Sequence, residues 1–180
     1  MSKVKLIPGL FSLLRMASER NRRFQAADAE FRPDPVMAMA KRMHPESLSL
    51  KVVSVRDEVP LVKTYRLKSV SGEPLPVFQA GQYISLKLQI GKTATSRAYT
   101  ISSAPYEAEG ADGYYEITIR QKPEGFVSDW LFQSLQEGAE LSATGPHGDF
   151  YVSPIRDTHE IVAIAGGAGV TPFVSMMKQF

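Results

Sequence analysis

From Leu48 onward the apolar residues recur with a period of two, whereas before it they fall at helical spacing. Leu48, Leu50 and Val52, with Val53 and Val55 after them, open the first predicted strand. Thr64–Lys68, Tyr83–Ile90, Tyr99–Ser102, Tyr114–Gln121 and Leu141–Thr144 follow, separated by turns rich in Gly, Pro, Ser or Glu. Short strands at this spacing, with almost no helix between them, predict an antiparallel barrel or sandwich. One helix interrupts the series, roughly Ser128–Gln136, with Trp130, Leu131 and Leu135 facing inward and Gly138 closing it.

The two ends of the chain have a different character. Leu10, Phe11, Leu13, Leu14, Ala17 and Phe24 keep approximate helical spacing until Arg32-Pro33-Asp34-Pro35 breaks the pattern. A short helix is predicted over Val36–Met43, ending at His44-Pro45. Residues 1–45 hold too few apolar side chains for a core of their own and are expected to be a helical extension. At the other end, Glu160–Ala165 is a near-continuous apolar run, as in a parallel strand buried on both faces. Gly166-Gly-Ala-Gly-Val-Thr-Pro172 follows, and Phe173–Phe180 reads as helix. The segment 157–180 is therefore expected to open a βα unit, with the remaining strands supplied beyond Phe180 or by a partner.

Composition narrows the options. At 180 residues, 43% hydrophobic and 22% charged, the chain suits one globular domain with attached material. No run approaches the roughly 20 apolar residues of a membrane-spanning helix. Leu6–Leu14 is too short for one, is followed at once by Arg15, and lacks a small-residue cleavage site, so the expected compartment is the cytoplasm. With no cysteine there is no disulfide, thiolate nucleophile or cysteine-ligated cluster in this chain. His44, His147 and His159 are scattered, and no metal site is expected. Residues 1–45 carry nine Lys/Arg against four acids, while the rest carries twelve against fifteen. This basic arm lacks the interleaved aromatics of a single-strand binder, and a solvated helix is the expectation rather than a nucleic-acid partner.

Four local patterns carry candidate chemistry. In Arg97-Ala-Tyr-Thr-Ile-Ser-Ser103, strand alternation places Arg97 and Tyr99 on one face and Thr100 on the other. An arginine fork matches phosphate oxygens, an aromatic ring offers a flat surface to a heterocycle, and a hydroxyl can meet a ring nitrogen. Gly125-Phe-Val-Ser128 leads into the Trp130 helix, where free N–H groups and the helix dipole favour phosphate. Gly145-Pro-His-Gly-Asp-Phe150 is a tight turn whose glycines allow close backbone approach. The Gly166–Pro172 turn departs from G-x-G-x-x-G, because Thr171 or Pro172 occupies the last glycine position, but still makes a phosphate-sized cradle.

In this order and spacing the patterns R-x-Y-T, G-x-V-S, G-P-x-G-x-F and G-G-x-G-x-T-P resemble the ferredoxin–NADP reductase superfamily over roughly residues 48–180, as does Phe78-Gln-Ala-Gly-Gln-Tyr83. The resemblance implies a mostly β fold: a six-stranded antiparallel Greek-key flavin-binding barrel with one capping helix (residues 46–156). It is followed by the first βα unit of a Rossmann-like nucleotide domain (157–180), incomplete in this sequence. It further implies that Arg97 pairs with flavin phosphates, Tyr99 packs on the isoalloxazine and Thr100 hydrogen-bonds near its N5, these last two being the catalytic positions. Ile119 and Arg120 would line the ribityl and phosphate part. Gly125, Phe126, Val127 and Ser128 would hold the pyrophosphate. Gly166, Gly167, Gly169, Thr171 and Pro172 match the nicotinamide-nucleotide turn. The implied cofactor is FAD, with FMN as the alternative, and the implied donor is NAD(P)H.

The implied activity is an NAD(P)H-dependent flavoprotein oxidoreductase passing electrons to an iron–sulfur or haem acceptor. The His-Pro-containing leader resembles that of bacterial reductases fused to a plant-type [2Fe–2S] domain. With no cysteine here, such a cluster can lie only on a further segment or a separate protein. No carboxylate dyad or Ser/His/Asp grouping appears, and none is demanded, because the cofactor carries the chemistry. The alternative is a flavin-binding module without turnover of its own.

Overall fold

The computed structural model describes residues 15, 16, 18–20, 22, 34–158 and 160–180. The helical pattern expected over Leu10–Phe24 lies largely outside the described residues. The chain divides into two compact units, residues 1–38 and 39–180. Asp34 starts helix α1 (Pro35–Met43) by accepting the Val36 N–H on Oδ1 at 2.9 Å, with proline at the first helical position.

In the second unit six strands form one antiparallel sheet: β1 Leu48–Val59, β2 Val62–Ser69, β3 Tyr83–Ile90, β4 Thr93–Thr100, β5 Tyr115–Arg120 and β6 Glu140–Ala143. Their order is β4-β3-β6-β1-β2-β5, so β6 returns from late in the chain to sit between β3 and β1. The two end strands meet at the isolated bridge Ile101–Ile117, reinforced by Ser102 N–H to Glu116 O at 2.7 Å, which closes the barrel. Leu50, Val52, Leu67, Ile84, Leu86, Ile101, Ile117 and Ile119 are almost completely buried and form the core. They are the inward members of the alternating pattern.

Two hairpins set the barrel's shape. β1 and β2 join through Val59-Pro60-Leu61-Val62, in which Leu61 adopts φ +65°, a position glycine would occupy more readily. β3 and β4 join through Gly91-Lys92, with Gly91 at φ +57°, the two-residue turn that matches strand twist. That hairpin extends β4 back to Thr93, six residues before the Tyr99 start read from the pattern. The extra residues Thr93–Ala98 are polar or small and mostly exposed, so they carry no alternation.

Helix α2 (Ser128–Ser134) caps the barrel through Leu131 and, just past its end, Leu135, while Trp130 is half-buried against the core. Helix α3 (Thr171–Gln179) follows a 3-10 turn, Gly167–Val170. It packs back on the barrel, with Phe173 edge-on to Phe150 at 5.7 Å between centroids. Met176 lies beside Gly81, whose φ of +107° and contact with the Phe150 carbonyl leave no room for a side chain.

The strand expected at Glu160–Ala165 is not formed. These residues form no regular element, and Val162 and Ile164 are 87% and 89% exposed. The reason is topological: a parallel strand becomes buried only between neighbouring strands, and none among the described residues pairs with it.

One core group is out of register with its surroundings. Tyr65 is fully buried, its hydroxyl has no partner among the described residues, and burial pushes the phenol up to about 12. A buried hydroxyl without a partner costs about 1–3 kcal/mol. Tyr65→Phe is therefore expected to leave stability unchanged or raise it by about 1 kcal/mol, as read by urea denaturation. A loss of similar size would show that the hydroxyl is paired in solution.

Candidate functional site

Barrel closure stops short beside Arg97, Tyr99 and Thr100. Antiparallel counting back from the Ile101–Ile117 bridge sets Tyr99 against Ile119, yet no ladder continues there. β4 and β5 therefore diverge and leave a slot with an unpaired edge on each side. In the β3–β4 ladder Arg97 stands opposite Leu86 and Tyr99 opposite Ile84, both core-facing, while Thr100 stands opposite Tyr83. Arg97 and Tyr99 thus share the inner face at the lip of the slot, and Thr100 takes the other face.

The Arg97 guanidinium is exposed. It donates to Thr95 Oγ1 at 2.9 Å and to the Ser96 carbonyl at 2.7 Å. Among the described residues no carboxylate lies within ion-pair distance of it, leaving a cation ready for an anion. Tyr99 packs against the core, and burial raises its phenol above the ordinary tyrosine value despite the opposing effect of Arg97. It stays a neutral phenol across physiological pH.

On the opposite lip, Ile119 sends its side chain into the core, 1% exposed, so a ligand beside it would meet backbone. Thr118 is tied from both sides, to Thr64 Oγ1 at 2.8 Å and Ser102 Oγ at 3.2 Å. Thr118 and Arg120 line a cavity of about 390 Å³ together with Val59, Pro60, Gly167 and Thr171. The structure thus brings the glycine turn to β5: a Cβ on Gly167 would lie 3.3 Å from Arg120 Nη1. Arg120 therefore faces the glycine turn, on the side of β5 opposite the buried Ile119. Thr118, Val59 and Pro60 were missed in sequence, because their approach to Gly167 spans about 50 to 110 residues and leaves no local pattern.

The turn before α2 closes tightly. A Cβ on Gly125 would meet Ser128 Oγ at 2.5 Å and the Lys122 carbonyl at 2.6 Å. Ser128 Oγ is committed to that turn, accepting the Lys122 N–H at 3.0 Å. Among the described residues no acceptor is found for the N–H groups of Phe126, Val127 and Ser128, while Val127 is buried and the Phe126 ring is exposed. In the glycine turn Gly166 and Gly169 have open space where a Cβ would be, Gly167 has φ +57°, and Thr171 Oγ1 donates to the Ala168 carbonyl at 2.5 Å. Pro172 sits in the first turn of α3.

The donor set suits a diphosphate linked to a flat heterocycle: an unpaired guanidinium, three unclaimed backbone N–H groups, and a slot floored by a phenol and core aliphatics. A dinucleotide flavin has those parts, and the residues present fit it. Among the described residues no group of three or more His, Cys, Asp or Glu gathers as a metal site, and no helix is long and apolar enough to cross a membrane.

Comparison with known proteins gives the same cofactor class. Residues 49–151, more than half of the chain, match the family model described as an oxidoreductase FAD-binding domain. The glycine betaine monooxygenase reductase subunit of Chromohalobacter salexigens is 41% identical over 103 residues, 57% of this chain and 27% of that protein. A flavohemoprotein of Bacillus subtilis is 39% identical over 119 residues, 65% of this chain and 28% of that protein. Among solved structures, the Amycolatopsis cytochrome P450 reductase GcoB superposes with a TM-score of 0.64 at 32% identity, over 75% of this chain and 39% of that one. Phthalate dioxygenase reductase, a modular protein for electron transfer from pyridine nucleotides to [2Fe–2S], shares the fold with a TM-score of 0.65 at 24% identity, over 74% and 39%. The chain spans about a third or less of the curated relatives it matches.

The protonation state of Tyr99 is open to direct measurement. In an alkaline titration, the phenolate band missing from Tyr99→Phe is expected to develop above the ordinary tyrosine range of about 10. A band developing at or below that range would mean that the ring is solvated and not seated on the core.

Proposed function

The chain belongs to the oxidoreductase FAD-binding domain family, and on that premise we propose that it is the flavin-holding part of an NAD(P)H-dependent reductase serving an iron–sulfur or haem acceptor. The observation that carries this reading is the placement of the Gly167 turn against Arg120, beside the slot framed by Arg97 and Tyr99. A site for flavin alone would need no glycine turn there. The names of its relatives include a monooxygenase reductase subunit and a flavohemoprotein, the second of which names haem.

Bound FAD would supply the redox chemistry, taking two electrons as hydride from NAD(P)H and releasing them singly. The chain's own residues bind, orient and exclude water. Arg97 and the Phe126–Ser128 N–H groups take the diphosphate, with Gly125 permitting the turn that aims those groups. Tyr99, neutral and half-buried, offers its ring face, and Thr100 a hydroxyl on the other side of the strand. Ile119 contributes backbone, and Arg120 attracts nucleotide phosphate. Gly166, Gly167, Gly169, Thr171 and Pro172 form the nucleotide turn. In this reading residues 46–156 are the flavin domain and 157–180 begin the nucleotide domain. The compartment that goes with it is the cytoplasm, where reduced nicotinamide nucleotides are held.

Arg97→Ala is expected to lower flavin affinity by about 10- to 100-fold, since a charge-assisted fork contributes about 1.5–3 kcal/mol. The measurement is the flavin-to-protein ratio after gel filtration at dilute concentration. Full retention by the variant removes Arg97 from the site. Anaerobic addition of NADH or NADPH should bleach the flavin absorbance of the wild type. Bound flavin that ignores both nucleotides would instead establish a module without turnover.

A further inference from the structure

Helix α3 is fastened to the barrel at two points, one just beyond the end of β4 and one on β5. Ser175, fully buried, donates its hydroxyl to the Ser103 carbonyl at 2.6 Å. Ser103 lies three residues beyond Thr100, and its own Oγ accepts the Glu116 N–H at 3.1 Å. One helical turn further on, Lys178 Nζ reaches Glu116 Oε2 at 3.2 Å and lies 3.8 Å from Glu107 Oε2. Glu116 is 3% exposed, and its other oxygen takes Arg66 Nη2 at 2.9 Å, with Arg56 at 4.0 Å. Glu107 is in turn held by the Tyr114 hydroxyl at 2.5 Å and the Ala104 N–H at 2.7 Å.

This arrangement is more than packing. A buried carboxylate needs compensating partners, because an unpaired charge in the interior is strongly destabilising. Glu116 receives one partner from β2 and one from α3, so β5 and the helix cannot shift independently. The N-terminal end of α3 is Thr171-Pro172, directly after the glycine turn. A rigid helix of nine residues carries the fixed position of Ser175 and Lys178 back to that turn. The path from Thr100 to the turn therefore runs through the short segment ending at Ser103 and then through Ser175. By contrast, the segment before the turn forms no regular element and is exposed.

From this geometry we infer that Ser175 and Lys178 are positioning residues, which set the placement of the glycine turn relative to the flavin strand and thereby the alignment of the nicotinamide for hydride transfer. The inference rests on the function proposed above. Neither side chain touches the slot, and neither is expected to contribute to holding flavin or to nucleotide affinity.

The test uses purified flavin-loaded protein, mixed anaerobically with NADH and with NADPH in a stopped-flow instrument. In Ser175→Ala and Lys178→Met the limiting rate of flavin bleaching should fall about 10-fold, as expected for a misalignment of a fraction of an ångström to an ångström. Half-saturating nucleotide and flavin content should stay within about twofold. Lys178→Arg, which keeps the cation, should recover most of the rate. In flavin-free protein, amide exchange across Gly166–Gln179 should quicken in both variants while the strands β1–β6 keep their protection. Limiting rates within twofold of wild type overturn the inference, as does a change confined to half-saturation, which would make the contacts part of nucleotide binding. Lys178 is one-third exposed, so its variants are expected to fold and decide the matter alone should Ser175→Ala not fold. Wild-type flavin that neither nucleotide bleaches removes the functional premise instead, an outcome distinct from a normal rate in the variants.

Discussion

The barrel closes through a bridge between Ile101 and Ile117, and the rest of the architecture follows from how little lies beyond that contact. Had β4 and β5 continued to pair, Tyr99 would stand against Ile119 and the edges of both strands would be satisfied by each other. They diverge instead, and backbone groups left without partners in a part-buried slot favour a ligand that can supply them. At the divergence stand an arginine with no carboxylate beside it and a phenol whose ionisation burial disfavours, and the turn before α2 offers unclaimed N–H groups, the chemistry a dinucleotide flavin needs.

The same short region of sequence also anchors the second half of the site. Ser102 and Ser103 follow β4 after Ile101; one pairs with Glu116 and the other accepts the hydroxyl of Ser175. Glu116 collects Arg66 from the barrel and Lys178 from α3, so a single buried carboxylate joins the sheet to the helix that bears the glycine turn. Balanced partners keep such a charge tolerable inside a protein. The helix is thus tied to the barrel even though Glu160–Ala165, the run leading to it, pairs with no strand among the described residues.

The sheet was legible because its physical cause is local. One-sided burial forces alternation, so Tyr83–Ile90 coincides with the observed strand, and β5 and β6 fall within one residue of theirs. Where burial is slight the signal vanishes. Thr93–Ala98 is strand because Gly91 turns the chain back on β3, not because its own residues ask for it. Glu160–Ala165 shows the converse: an apolar run states a preference for burial on both faces, but pairing depends on neighbours that its own residues do not provide.

For the site, the sequence alone determined residue type and spacing: Arg97 and Tyr99 on one face, Thr100 on the other, glycines at the two turns. Those follow from strand geometry and from which residues tolerate tight turns. Only the tertiary structure decided which of these elements meet. It brought Gly167 to Arg120, buried the side chain of Ile119 so that only its backbone is offered, committed the Ser128 hydroxyl to Lys122, and seated Ser175 and Lys178 on the barrel. Contacts across tens of residues are set by the closure and register of the whole sheet, which no local pattern of residues encodes.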